Sequence, residues 1–386
     1  MFAEINIPPT LVVGPGSTAA IGDIAARHGI RRPLVVTDRF LAGTGLADRV
    51  AGLLAAGGAE PAVFSETVPD PTTDSLDTAL AALRALEADG VVALGGGSPI
   101  DTGKALAVLA RRGGSIRELK APAVYDGPAL PIIAIPTTAG TGSEGTRFTV
   151  ITDTADEEKM LCIGTSYLPA AAIVDVELTM SMPPRLTADT GLDALTHAIE
   201  AHVSSSANTF SDLMAMQAIT LIGTGLRAAY ADGDDAVARE RMILASTLAG
   251  IAFSNSSVAL VHGMSRPIGA HFGIAHGMAN AMLLAEVTAF GLRAAQSRYA
   301  DCARALGVAL ASDDDAAAGA ALLAELRSLA TDLAVPTPRS LGISHGDWHD
   351  RIPLMARQAV ASGSPAKNPR VPELAEIEDL YRAIYG

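Results

Sequence analysis

Residues 91–99, VVALGGGSP, decide the fold class of this chain. Four consecutive apolar residues, typical of a strand buried on both faces, lead into three glycines and then into Ser98 and Pro99. Serine is favoured at a helix N-cap and proline at the first helical position, so these two residues predict a helix that continues to Leu109. A buried strand, a glycine turn and a helix in this order are typical of a parallel sheet covered by helices.

The same alternation extends through the first half of the chain and then stops. After the Met-Pro-Pro break at 182–184 the pattern is almost wholly helical. We therefore predict an α/β domain at 1–180 and an all-α domain at 181–386. Three further segments fit the first domain: apolar runs at 34–37 and 132–135, and a helical pattern at 72–89. Helices of the second domain are predicted at 187–203, 208–231, 236–253, 257–271, 280–307 and 316–333.

Composition excludes several classes of protein. Of 386 residues, 49% are hydrophobic and 18% are charged, which is enough for large cores and excludes intrinsic disorder. No run approaches the ~18 apolar residues of a membrane-spanning helix, and the start, MFAEINIPPT, has no secretory signal. A net charge of −14, without long basic runs, argues against nucleic-acid binding. The two cysteines, Cys162 and Cys302, agree with a reducing compartment, so we expect a cytoplasmic protein.

Two glycine-rich loops and one aspartate are candidates for a nucleotide site. The loop at 95–97 could place a pyrophosphate at the N-terminus of the next helix, although it also suits a plain tight turn. The segment GTGSEG at 140–145 matches GxGxxG, but a strand-like segment follows it, so it is not interpreted as the dinucleotide fingerprint. Asp38, after the first strand, could bind a ribose diol or merely cap a turn. Hydroxyls that could contact a cofactor follow the strand at 132–135: Thr137, Thr138, Thr141 and Ser143.

Aspartate and histidine residues suggest a metal site in the helical half. Asp193 and His197 are four residues apart in GLDALTHAIE and so lie about 40° apart around a helix. Both could face one metal ion, although this spacing is also common in solvated or capping pairs. His202 would point roughly 140° away from His197 and is left out. His262 and His276 would complete a ligand set that suits Zn²⁺ or Fe²⁺ and leaves positions for substrate.

Four segments carry a family resemblance: GGGSPIDTGKA, PTTAGTGSE, MPPRLTADTGLDALTHAIEAHVS and VHGMSRPIGAHFGIAHGMANAMLL. Together they resemble the iron-containing (group III) alcohol dehydrogenase family over nearly the whole chain. The resemblance implies a Rossmann-like, dinucleotide-binding parallel-sheet domain followed by an all-α metal-binding domain, the dehydroquinate synthase-like architecture. It implies a metal-dependent, NAD(H)-linked alcohol dehydrogenase or aldehyde reductase, with hydride passing between the nicotinamide and a small alcohol or aldehyde held on the metal. A homodimer or larger homo-oligomer is expected.

The resemblance also assigns residues. The implied ligands of Fe²⁺ or Zn²⁺ are Asp193, His197, His262 and His276. The implied cofactor contacts are Asp38, Asp70, Gly96, Gly97, Ser98, Pro99, Thr137, Thr138, Thr141 and Lys159. NAD is favoured over NADP because the carboxylate of Asp38 would repel a 2′-phosphate.

The chain departs from the family pattern four residues after His262. Many members have a proton-relay histidine there, and this chain has Arg266, which stays protonated and cannot act as a base. The guanidinium could hold an anionic substrate group such as a carboxylate or phosphonate, or it could contact the cofactor or brace the helix. His271, five residues further on, is a candidate for the displaced catalytic relay, or else a packing histidine.

Three alternative functions share this pattern in part. A dehydroquinate synthase-like lyase is disfavoured because this chain has only four lysines: Lys104, Lys120, Lys159 and Lys367. A maleylacetate reductase-like enzyme is disfavoured because such enzymes usually lack the full ligand set. A non-catalytic nucleotide-binding or metal-binding protein is the third alternative.

Overall fold

The computed structural model describes residues 3–156 and 158–386, which form two compact units. One unit is Asn6–Met180 and the other is Ser181–Gly386 together with the described residues before Asn6. The first unit combines a parallel sheet with helices, and the second is helical. The predicted fold class, an α/β Rossmann-like domain plus an all-α domain, is confirmed.

A six-stranded parallel sheet forms the core of the α/β unit. Its strands are β1 (Thr10–Val13), β2 (Pro33–Val36), β3 (Ala62–Phe64), β4 (Gly90–Gly95), β5 (Ile132–Pro136) and, after two other strands, β8 (Ala171–Val174). Those two, β6 (Phe148–Asp153) and β7 (Glu158–Ile163), form a separate antiparallel pair. The order across the sheet is β1-β8-β5-β4-β2-β3, with neighbouring strands parallel. The strands predicted at 34–37, 91–94 and 132–135 are confirmed as β2, β4 and β5.

Helices pack on both faces of this sheet. They are α1 (Ile21–Arg27), α2 (Arg39–Gly43), α3 (Leu46–Ala56), α4 (Thr73–Ala85) and α5 (Gly97–Arg112). Val91 and Ile132 share one apolar cluster with residues of α4 and α5, whereas Val92 and Ile133 share another with residues of α1 and α3. Successive strand residues point to opposite faces, so each continuous apolar run supplies both clusters.

The helix after the glycine turn is longer than the sequence predicted. It begins at Gly97 with Gly96 as its N-cap and ends at Arg112, whereas the prediction placed the N-cap at Ser98 and the end at Leu109. Gly95 has a φ of 148°, a conformation open to glycine, so the chain turns into the helix before it reaches the Ser-Pro pair.

A buried lysine ties α5 to the loop between β5 and β6. The Lys104 Nζ donates to the carbonyl oxygens of Ser143 (2.7 Å), Thr146 (2.9 Å) and Phe148 (2.8 Å), and also lies 2.9 Å from the Thr146 hydroxyl. Asp101, on the same helix, accepts from the Ser143 hydroxyl at 2.8 Å. Burial lowers the pKa of Lys104 to about 8, and nearby carboxylates oppose this effect. The lysine therefore holds the loop that carries the hydroxyls predicted to contact a cofactor.

We expect Lys104→Met to lower the free energy of unfolding by about 3 kcal/mol, because it removes a charged donor shared by three buried carbonyl oxygens and the positive charge beside the partly buried Asp101 carboxylate. The measurement is urea denaturation followed by far-ultraviolet circular dichroism. Lys120→Met is the matched control, since Lys120 forms an exposed ion pair with Glu158 and such pairs contribute about 0–1 kcal/mol. Equal losses in the two variants would contradict the anchoring role of Lys104.

Nine α-helices make up the described helical unit. They are α6 (Pro184–Val203), α7 (Thr209–Ala231), α8 (Ala236–Ser254), α9 (Leu260–Phe272), α10 (His276–Gly291), α11 (Gln296–Leu306), α12 (Asp315–Asp332), α13 (His345–Ala361) and α14 (Leu374–Ala383). The single helix predicted at 280–307 is wrong, because the chain leaves the helix near residue 292 and restarts at Gln296. The break lets α11 pack against α7 and α12.

Two expectations from composition also bear on the described residues. Within them, no helix combines the length and the apolar character that crossing a bilayer requires. Cys162 and Cys302 are both buried and unpaired.

Candidate active site

Four side chains from three helices converge in the helical unit. Asp193 and His197 lie on α6, His262 lies on α9, and His276 is the first residue of α10. One ligand atom from each lies within 4.8 Å of all the others. The Asp193 Oδ1 is 3.9 Å from His197 Nδ1, 3.8 Å from His262 Nε2 and 3.9 Å from His276 Nε2. Ligand atoms around a tetrahedral zinc ion are roughly 3.4 Å apart, so these groups need to move only slightly to bind one cation.

Local sequence explains how these helices approach one another. The i, i+4 spacing places Asp193 and His197 on one face of α6, as the sequence predicted. His276 reaches that face because the next residue is Gly277, where a Cβ atom would lie only 2.5 Å from the Asp189 carbonyl oxygen. Only glycine lets the first turn of α10 pack this closely against α6.

The donor set fits a divalent cation. Asp193, His197 and His262 are buried, and the His276 side chain is 35% exposed. In the described part of the chain the buried His197 Nδ1 has no hydrogen-bond partner. An unsatisfied buried polar atom costs about 1–3 kcal/mol, and a cation at this point would remove that cost. One carboxylate and three imidazoles suit Fe²⁺ and Zn²⁺ alike.

Glu200, which the sequence analysis missed, fixes the tautomer of His262. Its carboxylate lies 2.6 Å from His262 Nδ1 and accepts the backbone N–H groups of Ala259 (2.8 Å) and Val261 (2.6 Å) at the start of α9. Burial raises the pKa of Glu200 to about 7, with those N–H groups opposing. Burial also holds the pKa of His262 well below its usual value, so the ring is neutral. With the proton on Nδ1, the Nε2 lone pair faces the other ligands.

Asn280 was also missed. Its Nδ2 donates to Asp193 Oδ1 at 2.6 Å and lies 3.2 Å from the Nε2 atoms of both His262 and His276. The amide therefore fixes the orientation of the Asp193 carboxylate. Sequence spacing could have indicated both residues. Asn280 follows His276 by four residues and Glu200 follows Asp193 by seven, so each lies on the same helix face as the ligand before it.

Arg266 and His271 lie on opposite sides of α9. Arg266 is one turn after His262 on the same face, and its Nη1 is 3.3 Å from the Ser364 hydroxyl. His271 is nine residues after His262, about 180° around the helix, and its Nε2 is 2.7 Å from the Gln358 side-chain oxygen. The structure does not bring His271 to the four converging side chains, so its relay role stays a prediction without geometric support.

Phe253 packs beside the four converging side chains, whereas His202 is directed elsewhere. Phe253, missed in the sequence, stacks on the His197 ring with a centroid distance of 4.4 Å and so forms an apolar wall beside it. His202 is not among the converging residues. Its Nδ1 lies 2.9 Å from Asp212, which agrees with its exclusion on helical geometry.

In the α/β unit, the predicted cofactor residues meet at the carboxyl ends of adjacent strands. The loops after β4 and β5 come together because Gly96 and Gly97 have no side chain. A Cβ on Gly96 would lie 3.3 Å from the Thr138 side chain, and one on Gly97 would lie 3.0 Å from Thr141. No side chain caps the start of α5, so its first N–H groups remain available for an anionic ligand. Pro99 is buried in the first turn of α5, and Thr137 is buried directly after β5.

Of the remaining predicted cofactor contacts, Asp70, Ser98 and Lys159 form a polar cluster, and Asp38 caps a helix. The Asp70 backbone N–H donates to the Ser98 hydroxyl at 3.2 Å, and Lys159 Nζ pairs with the Asp70 carboxylate at 2.8 Å. Asp38 caps α2, since its Oδ1 accepts the Leu41 N–H at 2.9 Å. The capping role that the sequence left open for Asp38 is therefore present, and a second role toward a ribose stays a prediction.

Comparisons with known proteins agree with this architecture. The pattern described as "Iron-containing alcohol dehydrogenase" matches residues 8–176, and "Fe-containing alcohol dehydrogenase family, C-terminal" matches 187–385. The NAD-dependent methanol dehydrogenase of Bacillus methanolicus is 36% identical over 377 residues, covering 97% of this chain and 98% of its own. A solved 1,3-propanediol oxidoreductase has a TM-score of 0.95 at 35% identity, with both chains covered to 100%. A sulfoacetaldehyde reductase from Bifidobacterium kashiwanohense in complex with NAD⁺ has a TM-score of 0.89 at 30% identity, covering 100% of this chain and 99% of its own.

Proposed function

Because the chain belongs to the iron-containing alcohol dehydrogenase family, we propose that the residues described above perform a metal-dependent, NAD(H)-linked interconversion of a small alcohol and its aldehyde. Both family patterns match, and the relative from Bacillus methanolicus aligns over nearly its whole length. The resemblance seen in the sequence is thereby confirmed. The chain is an oxidoreductase, so the alternative of a non-catalytic binding protein is set aside.

The observation that carries the proposal is the convergence of one carboxylate and three imidazoles. When bound, a divalent cation polarises the oxygen of the alcohol or aldehyde, and the nicotinamide accepts or supplies the hydride. Glu200 keeps the His262 proton on Nδ1, and Asn280 orients the carboxylate. A single ligand carboxylate leaves the loaded site positive, which favours negative charge developing on the substrate oxygen. The proposed ligands of Fe²⁺ or Zn²⁺ are Asp193, His197, His262 and His276.

For the cofactor we propose NAD, bound at the carboxyl ends of β2, β4 and β5. The N–H groups at the start of α5 would take the pyrophosphate, and Asp38 would accept hydrogen bonds from the ribose and repel a 2′-phosphate. The other proposed contacts are Asp70, Gly96, Gly97, Ser98, Pro99, Thr137, Thr138, Thr141 and Lys159.

We expect the protein loaded with Fe²⁺ or Zn²⁺ to oxidise NADH in the presence of small aldehydes, and the chelated protein not to. The measurement is the loss of NADH absorbance across a panel of neutral and anionic aldehydes. The kcat/KM for NADH should exceed that for NADPH by about tenfold or more, because opposed like charges cost several kcal/mol. Turnover that survives chelation would contradict the metal role, and a preference for NADPH would contradict the role of Asp38.

Two other activities on this architecture are disfavoured. A dehydroquinate synthase-like lyase would need lysines for a phosphorylated substrate, but Lys104 is buried against carbonyl oxygens and Lys120 pairs with Glu158. A maleylacetate reductase-like enzyme is disfavoured by the complete set of converging ligands. The names of similar proteins, a methanol dehydrogenase, a 1,3-propanediol oxidoreductase and a sulfoacetaldehyde reductase, support a small substrate and include both neutral and anionic ones.

The proposal extends to the location and the assembly of the protein. A cytoplasmic location agrees with two unpaired cysteines, which are typical of reducing compartments. A homodimer or larger homo-oligomer is carried over from the family.

A further inference from the structure

Arg266 is a cation near His262 that forms no ion pair with a carboxylate among the described residues. It follows His262 by four residues on α9, so the two side chains leave the helix about 40° apart on one face. The residue is partly buried, and none of the ion pairs among the described residues includes it. Its one hydrogen bond in that part of the chain is the 3.3 Å contact with the Ser364 hydroxyl. A guanidinium has five N–H donors, so most of them have no protein acceptor.

The nearest carboxylate that acts on Arg266 is already engaged. The charge of Glu200 raises the pKa of Arg266, while burial, the larger effect, lowers it. The two oxygens of Glu200 accept from His262 Nδ1 and from the backbone N–H groups of Ala259 and Val261. Arginine remains protonated at physiological pH, so Arg266 brings a positive charge that no side chain in the described part of the chain neutralises by direct contact.

The charge balance of the centre favours a bound anion. Asp193 and Glu200 bring at most two negative charges, since burial raises the pKa of Glu200 to about 7, whereas a divalent cation and Arg266 would bring three positive ones. At least one net positive charge would remain in a largely buried site, where an unpaired charge is costly. A substrate with one anionic group would neutralise it.

The local structure engages one edge of the guanidinium, and the described residues provide no hydrogen-bond acceptor for the other edge. A short 3₁₀ segment, Ser364–Lys367, packs against α9, since a Cβ on Gly263 would lie 2.7 Å from the ring of Pro365. On the side of this segment, the Arg266 Nη1 group donates a hydrogen bond to the Ser364 hydroxyl. The Nε and Nη2 groups form the opposite edge, and two parallel N–H donors of this kind match the two oxygens of a carboxylate, sulfonate or phosphonate.

We propose that the Nε/Nη2 edge of Arg266 is an anion subsite, and that the physiological substrate is a short aldehyde or alcohol with one such anionic group. The inference rests on the proposed function and specifies the class of its substrate. The arginine binds and orients the substrate through the anionic group, while hydride is exchanged at the carbonyl carbon and a proton at the carbonyl oxygen.

Matched pairs of aldehydes test the subsite. Sulfoacetaldehyde and phosphonoacetaldehyde have the neutral isostere 3,3-dimethylbutanal, and 4-oxobutanoate has 4-methylpentanal. In the wild type we expect kcat/KM for at least one anionic aldehyde to exceed that of its isostere by about 10- to 100-fold, since a hydrogen bond to a charged group contributes that factor. Whichever pair shows the largest ratio identifies the anionic group.

In Arg266→Leu the ratio should fall by about the same factor, through a higher KM for the anionic aldehyde. Arg266→Lys keeps the charge but loses the paired N–H donors, so its ratio of kcat/KM values should lie between those of the wild type and Arg266→Leu. Arg357→Leu is the control, because it removes one positive charge from an exposed position on α13 and should leave the ratio unchanged.

A binding measurement separates recognition from turnover. Calorimetric titration of the metal-loaded protein with methylphosphonate at about 10 mM, above the millimolar Kd of a weak ligand, should give heat with the wild type and none with Arg266→Leu. Equal binding by both proteins, or by neither, would contradict the subsite.

The outcomes distinguish the two proposals. Turnover of neutral aldehydes with ratios near one in all pairs, or a ratio unaffected by Arg266→Leu, would overturn the subsite alone. No turnover of any aldehyde by the metal-loaded protein would overturn the proposed function itself. Should Arg266→Leu fail to fold, the wild-type ratios and Arg266→Lys still decide the question.

Discussion

Replacing His276 with alanine is expected to remove tight metal binding and to lower kcat/KM by about 10³ or more. A bound metal ion would contribute several kcal/mol of charge stabilisation in the transition state, and each 1.4 kcal/mol corresponds to about tenfold in rate. His276 is the best ligand to replace, because it is the first residue of α10 and its side chain is 35% exposed. Its loss should therefore disturb the fold less than the loss of a buried ligand.

The measurements are metal content after gel filtration, by elemental analysis, and aldehyde reduction with NADH. The matched control is His349→Ala, since His349 is a histidine of the same unit on α13 whose ring contacts and hydrogen bond in the described structure are with His345 and Tyr385. We expect the control to keep about one metal ion per chain. A His276→Ala protein with full metal content and wild-type kcat/KM would refute the proposed ligand set.

Replacing Glu200 with glutamine is expected to weaken metal affinity by about 10- to 100-fold, the usual effect of removing a group that orients a metal-binding histidine. The amide keeps one acceptor oxygen but turns an N–H group toward one of its present donors, which are His262 Nδ1 and the N–H groups of Ala259 and Val261. Because these groups are buried, the free energy of unfolding of the metal-free protein should also fall, by about 2–3 kcal/mol.

Competition with a chromophoric chelator measures the affinity, at a temperature where circular dichroism shows both proteins to be folded. The control is Glu240→Gln, at an exposed position on α8. It should leave the metal affinity and the free energy of unfolding equal to those of the wild type within error. A folded Glu200→Gln protein with wild-type metal affinity would show that Glu200 supports α9 without acting on the metal.

The fold was largely predictable because the signals are local. Three buried strands and most helices of the second unit follow from apolar runs and helical spacing. One of the two errors has a tertiary cause and the other a local one. The predicted helix at 280–307 breaks near residue 292 because α11 turns to pack against α7 and α12. The early start of α5 depends on the backbone freedom of Gly95, which a search for an N-cap side chain overlooks.

The site was predictable in part. Asp193 and His197 follow from spacing on one helix, whereas His262 and His276 were candidates by residue type alone until the family resemblance assigned all four residues as ligands. Glu200 and Asn280 were missed, and so was the contact between Arg266 and Ser364.

By itself, the sequence determined three buried strands, most helices of the second half, the pair of ligands on one helix and the presence of an arginine where a proton-accepting histidine was expected. These features depend on residues close together along the chain, and the geometry of strands and helices relates such residues directly. Only the tertiary structure decided which groups from different helices meet, namely the carboxylate of Glu200 with His262, the amide of Asn280 with Asp193, and the hydroxyl of Ser364 with Arg266. Their meeting depends on how α6, α9 and α10 pack, and packing is a property of whole surfaces that no single spacing encodes.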